Sequence, residues 1–193
     1  VSFLLEFVRA PLLVGAVAPS SSALARVATT VVPRTGAPVV VELGPGNGSF
    51  TGAIQQRLAG RGRHIAVELN QRFAERLRGL HPGVDVANVD AADLGTVLTD
   101  RGLDTADVIV SGLPWAAFST GRQLAVLSGV VAALPPHGVF TTFAYVHARW
   151  AGPARRLLDS LHVHFDEVVV GRTVWANLPP ALVYHCRRPN ERG

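Results

Sequence analysis

The chain has 193 residues, 48% of them hydrophobic and 17% charged, enough to bury one substantial core and short for two domains. All 18 basic residues are arginine and the formal net charge is +4, which favours acidic partners such as phosphate head groups or nucleic acid. The lone cysteine, Cys186, excludes an internal disulfide framework and fits a reducing compartment, with the cytoplasm as default.

The opening VSFLLEFVRAPLLVGAVAP, residues 1–19, is the most apolar stretch. Glu6, Arg9 and Pro11 interrupt it before the roughly 18 to 20 apolar residues that a membrane span needs. Ala16-Val17-Ala18 mimics a leader cleavage site, but no basic n-region precedes it, so secretion is not expected. Phe3, Leu4, Phe7 and Val8 line one face of a short helix, suited to packing on the domain or to lying in a membrane interface. PSSSALAR then starts a second helix, with Ser20 to Ser22 available as caps and an Ala-rich run that stops near Pro33. Residues 1–33 are thus expected as a helical segment covering the site of a single domain, 1–193.

From residue 38 an alternation begins. Apolar runs of β type fall at 38–43, 64–68, 84–89, 107–111 and 138–144, separated by helix-like segments around 49–60, 71–79, 91–99 and 121–134. This rhythm predicts a parallel sheet with right-handed crossovers. In the last third, 165–170 and 181–187 read as strands joined by GRTVWANLPP with no helix between them, hence an antiparallel hairpin at one sheet edge. His162 and His164 alternate with Val163 as if on one side of a strand. They lack a third ligand at metal-like spacing, so no metal site is expected.

The chemistry concentrates in VVELGPGNGSFTGAI, residues 40–54, where three glycines stand between the first strand and the first following helix. In an open α/β sheet, ligands sit outside the carboxyl ends of the strands, where such a turn lets backbone approach closely. Gly44, Gly46 and Gly48 are spaced G-x-G-x-G, with Ser at 49, which is not the G-x-G-x-x-G dinucleotide fingerprint. Without any lysine, the chain also fails the P-loop pattern.

The set E-x-G-x-G-x-G after strand one, with Glu68 ending strand two, resembles the class I S-adenosylmethionine-dependent methyltransferases. That resemblance implies a Rossmann-like α/β fold: a seven-stranded, mostly parallel sheet with helices on both faces and the C-terminal antiparallel hairpin. It implies S-adenosylmethionine as cofactor, with Gly44, Gly46 and Gly48 passing beneath it and Glu42 near its methionine end. Glu68, with Leu69 beside it, would take the ribose hydroxyls, and Asp90-Ala91 would take the adenine amino group. Ser20 and Ser21 would cap their helix and border the cofactor, and Ser111 and Gly112 close the fourth strand beside it.

Three further stretches, PLLVGAVAPSSSALAR at 11–26, SGLPWAAF at 111–118 and WANLPPALVY at 175–184, are similar to the bacterial phospholipid N-methyltransferases, which methylate phosphatidylethanolamine. This resemblance implies a lipid amine as methyl acceptor, with Leu113, Pro114, Trp115 and Phe118 at the substrate and an anionic membrane surface as a partner, the protein being cytoplasmic and peripheral. Tyr145 and His147, after the fifth strand, are the candidates to accept the amine proton, and the face of Trp115 is suited to a methylated ammonium. Adenine-methylating RNA enzymes carry Asn or Asp before Pro and an aromatic, whereas Ser stands here and the spacing is one longer. Only RPNERG follows residue 187, so a nucleic-acid-binding domain is not expected and RNA is the weaker reading. A soluble natural-product amine could also serve as acceptor, and a silent cofactor-binding domain that works by interaction is the non-enzymatic reading.

Overall fold

The computed structural model describes residues 20–190. Residues 3–14, expected as an interfacial or packing helix, lie outside the described residues. The first described helix, α1 (Ser22–Ala28), is capped by Ser21, whose Oγ accepts from Leu24 N at 3.1 Å. It stops short of Pro33 because the Thr29 hydroxyl turns back onto Ala25 O at 2.8 Å and β-branched residues follow.

Seven strands follow: β1 (Val39–Leu43), β2 (Arg63–Val67), β3 (Asp85–Ala87), β4 (Val108–Ser111), β5 (Val139–Tyr145), β6 (Phe165–Val170) and β7 (Ala181–Pro189). Between them lie α2 (Ser49–Leu58), α3 (Gln71–Leu80), α4 (Leu94–Thr99), α5 (Thr120–Ala132) and α6 (Gly152–His164). The spatial order is β3-β2-β1-β4-β5-β7-β6. β1 to β5 run parallel, while β7 is antiparallel to both β5 and β6, so the expected edge hairpin is present.

Alternate residues of the parallel strands feed two apolar layers, as a doubly covered sheet requires. Val41, Leu43, Ile109 and Phe140 pack against Leu94 of α4, Leu127 of α5 and Leu161 of α6. Val40, Val108 and Val110 pack on the opposite face against Leu24 of α1 and Phe50 and Ile54 of α2. Cys186 is fully buried in the first layer, and burial pushes its thiol up to about 12, which leaves it a packing group with no nucleophilic role. Among the described residues, no helix is long and apolar enough to cross a membrane.

One element departs from expectation. Residues 152–164 form a helix, α6, so His162 and His164 lie on its last turn and not on a strand. Ala154, Leu157 and Leu161 recur at helical spacing and bury one face, Pro153 sits in the first turn, and strand character begins only at Phe165. The His-Val-His alternation ends on the helix side of that boundary. His164 is buried with Nδ1 2.8 Å from Ser160 O. Among the described residues, no three His, Cys, Asp or Glu side chains gather to hold a metal.

Candidate active site

β1 has parallel neighbours on both sides, β2 and β4. The chain leaves β1 towards β2 and β3 and returns to β4, which opens a crevice at the carboxyl ends of β1 and β4. A glycine follows each strand there, Gly44 after β1 and Gly112 after β4. The Gly112 amide donates to Leu43 O at 2.8 Å, and a Cβ on Gly112 would meet Gly44 O at 2.7 Å, so the two loops touch through backbone. Gly44 and Gly46 hold φ of +65° and +55°, the left-handed region that glycine adopts readily. A Cβ on Gly44 would strike Leu113 Cδ2 at 2.7 Å, whereas one on Gly46 would meet nothing within 4 Å. The turn is pinned from behind and open in front.

Glu68 braces that turn. One carboxylate oxygen accepts from Gly46 N at 2.9 Å and the other from Asn70 N at 2.8 Å, with the residue only 4% exposed. Burial pushes its carboxyl above the usual range, partly offset by those two amide donors. Leu69 beside it is 40% exposed, a large apolar side chain facing solvent at the carboxyl end of β2.

Glu42 is fully buried beneath the turn. Its Oε2 accepts from Thr51 Oγ1 at 2.7 Å and lies 3.2 Å from His64 Nε2, at an angle too bent for a well-formed hydrogen bond. His64 Nδ1 is 2.9 Å from the Gln55 amide nitrogen, which can only donate, so the imidazole proton sits on Nε2, towards Glu42. Glu42 Oε1 has no hydrogen-bond partner among the described residues.

Asp90 follows β3 and accepts from Ala92 N at 2.8 Å, capping the short 3-10 turn that begins at the buried Ala91. Both its oxygens also meet Arg122 Nη2, at 2.6 and 2.7 Å, and the Arg122 guanidinium lies 5.5 Å from the Phe118 ring centre. An arginine from α5 thus fixes the Asp90 carboxylate and ties it to Phe118. A lone arginine in a helix start carries no sequence signal for this pairing.

At the end of β4, Ser111 is fully buried, and its hydroxyl accepts from Trp115 Nε1 at 3.0 Å and Leu113 N at 3.3 Å. Trp115 is 2% exposed and packs edge-on against Phe118 and Phe140. Its ring belongs to the core, so the face suggested for a methylated ammonium is covered by protein. Leu113 and Pro114 remain half-buried at the crevice. Gln123 Nε2, also buried, holds Trp115 O at 2.7 Å.

Across the crevice, Ser20 and Ser21 enter α1, and Ser21 N donates to Asn177 Oδ1 at 2.8 Å. Asn177, 3% exposed, also donates to Pro179 O at 2.7 Å, so one amide side chain locks the β6–β7 loop to the start of α1. The string WANLPP marks the region, but the pairing spans 156 residues and local spacing does not reveal it. Asn177→Ala is expected to lower stability by about 1 to 3 kcal/mol, the cost of unpairing buried polar groups, and to speed amide exchange at Ser21 and Leu24. Urea unfolding and hydrogen exchange check both.

Tyr145 ends β5, half-buried, with its ring edge-on to Phe143 and stacked on the exposed His147 at 5.8 Å. Burial raises the phenol's pKa, so Tyr145 offers a neutral hydroxyl and not a phenolate.

No protein-family model matches the chain. The ornithine lipid N-methyltransferase of Singulisphaera acidiphila is 34% identical over 195 residues, covering 98% of this chain and 96% of that protein. Among solved structures, the TehB-like SAM-dependent methyltransferase from Corynebacterium glutamicum superposes with a TM-score of 0.63 at 15% identity, covering 96% of this chain and 97% of that one. Human methyltransferase-like protein 13, in complex with SAH, gives 0.64 at 19% identity, covering 89% and 82%. Some matching structures are longer, this chain spanning 51%, 46% and 48% of three of them.

Proposed function

The chain belongs to the class I S-adenosylmethionine-dependent methyltransferase family, and from that premise we propose that it methylates the amine of a membrane lipid head group. The observation that carries the lipid reading is the 34% identity, over nearly the whole chain, to a protein named for N-methylating a lipid. The residues at the crevice fit the cofactor. Gly46 faces open space that a side chain would fill, and Glu42 Oε1 is a buried acceptor in want of a donor.

On this reading Gly44, Gly46 and Gly48 form the backbone wall, Glu68 and Leu69 take the ribose side, and Asp90 with Ala91 takes the adenine side. Ser20, Ser21, Ser111 and Gly112 border the methionine side. S-adenosylmethionine, when bound, supplies an electrophilic sulfonium methyl group for in-line displacement by a neutral amine. The protein's work is alignment, exclusion of water and removal of a proton. Leu113 and Pro114 flank the approach of the amine, with Trp115 and Phe118 as the wall behind. A lipid ammonium must lose its proton before attack; a His147 ring nitrogen is the group that can take it, while the neutral Tyr145 hydroxyl accepts a hydrogen bond from the amine.

The Asp90–Arg122 pair orients the carboxylate, which can accept from an amino group through its remaining lone pairs. Glu68 is expected to matter most when charged. Glu68→Ala should weaken S-adenosylmethionine binding by about 1 to 3 kcal/mol, the usual loss when a charged acceptor is removed. Because burial raises the Glu68 pKa, the wild-type dissociation constant should rise as pH falls through that raised value, when the carboxyl gains a proton and loses acceptor strength. Glu68→Ala should flatten that acid limb, and calorimetry across pH reads both effects.

The test of function is methyl transfer from labelled S-adenosylmethionine to an ornithine lipid, phosphatidylethanolamine, soluble amines and RNA, each offered separately. Label in an aminolipid supports the reading. Label confined to soluble amines or RNA removes it.

A further inference from the structure

The most exposed large apolar side chains among the described residues are Leu178 at 77%, Trp175 at 75% and Trp150 at 74%. All three stand on two loops at one end of the sheet. Trp150 lies between β5 and α6, five residues after Tyr145, and Trp175 and Leu178 lie between β6 and β7. The loops are joined, since Val146 N donates to Pro180 O at 2.8 Å. Arg149 covers Trp150, its guanidinium 4.4 Å from the ring centre. Segments 146–158 and 171–180 contain Arg149, Arg155, Arg156 and Arg172 and no acidic residue.

Neither tryptophan serves the fold. Large apolar side chains this exposed, carried on two joined loops, mark an interaction surface. Rings of amphipathic tryptophan flanked by arginine suit the head-group layer of a bilayer, where the ring meets the acyl boundary and the guanidinium meets phosphate. The first of these loops leaves the end of β5 that carries Tyr145, and β5 runs parallel beside β4, whose carboxyl end borders the crevice. A lipid amine cannot leave the bilayer without exposing its acyl chains, so the mouth must face the membrane.

We propose that Trp150, Trp175 and Leu178, with Arg149 and Arg172, form a docking surface for an anionic lipid bilayer that sets the crevice against the head groups. This rests on the lipid reading above for its purpose, and on exposure and charge for its existence. It places membrane contact on the β5–α6 and β6–β7 loops.

The chain has three tryptophans, and Trp115 is buried away from solvent, so a vesicle-induced change in intrinsic fluorescence reports the two exposed rings. The full chain is mixed with vesicles of equimolar phosphatidylglycerol and phosphatidylcholine, and with pure phosphatidylcholine. A blue shift on the anionic vesicles, quenching by brominated acyl chains and loss of both at high salt are expected. The Trp150→Ala, Trp175→Ala double variant should bind those vesicles at least about tenfold more weakly. It should keep wild-type turnover of monomeric dihexanoyl phosphatidylethanolamine, which reaches the crevice without a bilayer and shows that the variant is folded.

Equal sedimentation of variant and wild type with anionic vesicles overturns the surface. So does a wild-type emission spectrum unchanged by vesicles, or a shift in oligomeric state in the variant with vesicle binding intact, which would assign the patch to a second copy. If vesicle binding depends on the tryptophans but no aminolipid is methylated by the wild type, the surface stands and the lipid-methylation reading falls.

Discussion

Gly46→Arg is expected to abolish detectable S-adenosylmethionine binding while leaving the protein folded. Gly46 holds φ of +55°, and a Cβ there meets nothing within 4 Å. The substitution therefore incurs left-handed backbone strain on the order of 1 to 3 kcal/mol but no clash with protein. The long cationic side chain must then occupy the space in front of the turn and opposes a sulfonium cation by charge. A loss of about a hundredfold or more corresponds to roughly 3 kcal/mol, within reach of one misplaced side chain at a close backbone approach. Gly44→Arg is the contrasting variant. Its Cβ strikes Leu113 at 2.7 Å, so it should lower the melting temperature as well. Calorimetry and thermal unfolding separate the two, and an unchanged dissociation constant for Gly46→Arg would move the cofactor away from the turn.

The parts of the fold that local pattern writes into the chain are legible in it. Apolar runs buried on both faces mark β1, β2, β4 and β5 within a residue or two, and the absence of helix signal between 170 and 181 marks the hairpin. The helix at 152–164 escapes such a reading because its buried face, Ala154, Leu157 and Leu161, sits among arginines and runs straight into a strand without a breaker. The glycine turn is legible because backbone close to a ligand needs residues without side chains.

What holds the turn is not. Glu68 reads as a ribose acceptor, and it also clamps Gly46 N; Asp90 reads as an adenine acceptor, and Arg122 from 32 residues away fixes it. Asn177 and Ser21 meet only because β7 returns beside β5. Such contacts depend on strand order, and strand order is set by packing across the whole sheet. Trp115 shows the converse: an aromatic in a substrate-like string is drawn into the core because Phe118 and Phe140 offer it edges and Ser111 accepts from its indole nitrogen.

Glu42 supplies the second large effect. Its sequence position, two residues before Gly44, suggests a role at the cofactor. In the folded chain it is fully buried, and its contacts run sideways to Thr51 of α2 and His64 of β2. Removing the carboxylate by Glu42→Ala leaves the Thr51 hydroxyl and the His64 Nε2 proton facing each other across a cavity, both out of reach of water. Breaking one side of such a buried polar cluster costs about 3 kcal/mol or more. Glu42→Gln keeps one acceptor oxygen of nearly the same shape, so its loss should be about half as large. The order of the urea midpoints, wild type above Glu42→Gln above Glu42→Ala at constant slope, is the expected result. Cofactor affinity should fall in the same order, because the strand end that carries Gly44 is fixed to α2 and β2 through this carboxylate. If Glu42→Ala unfolds at the wild-type midpoint, the cluster holds nothing together. The unpartnered Oε1 would then be left as the group's whole purpose, a charge held beneath the turn for the ligand alone.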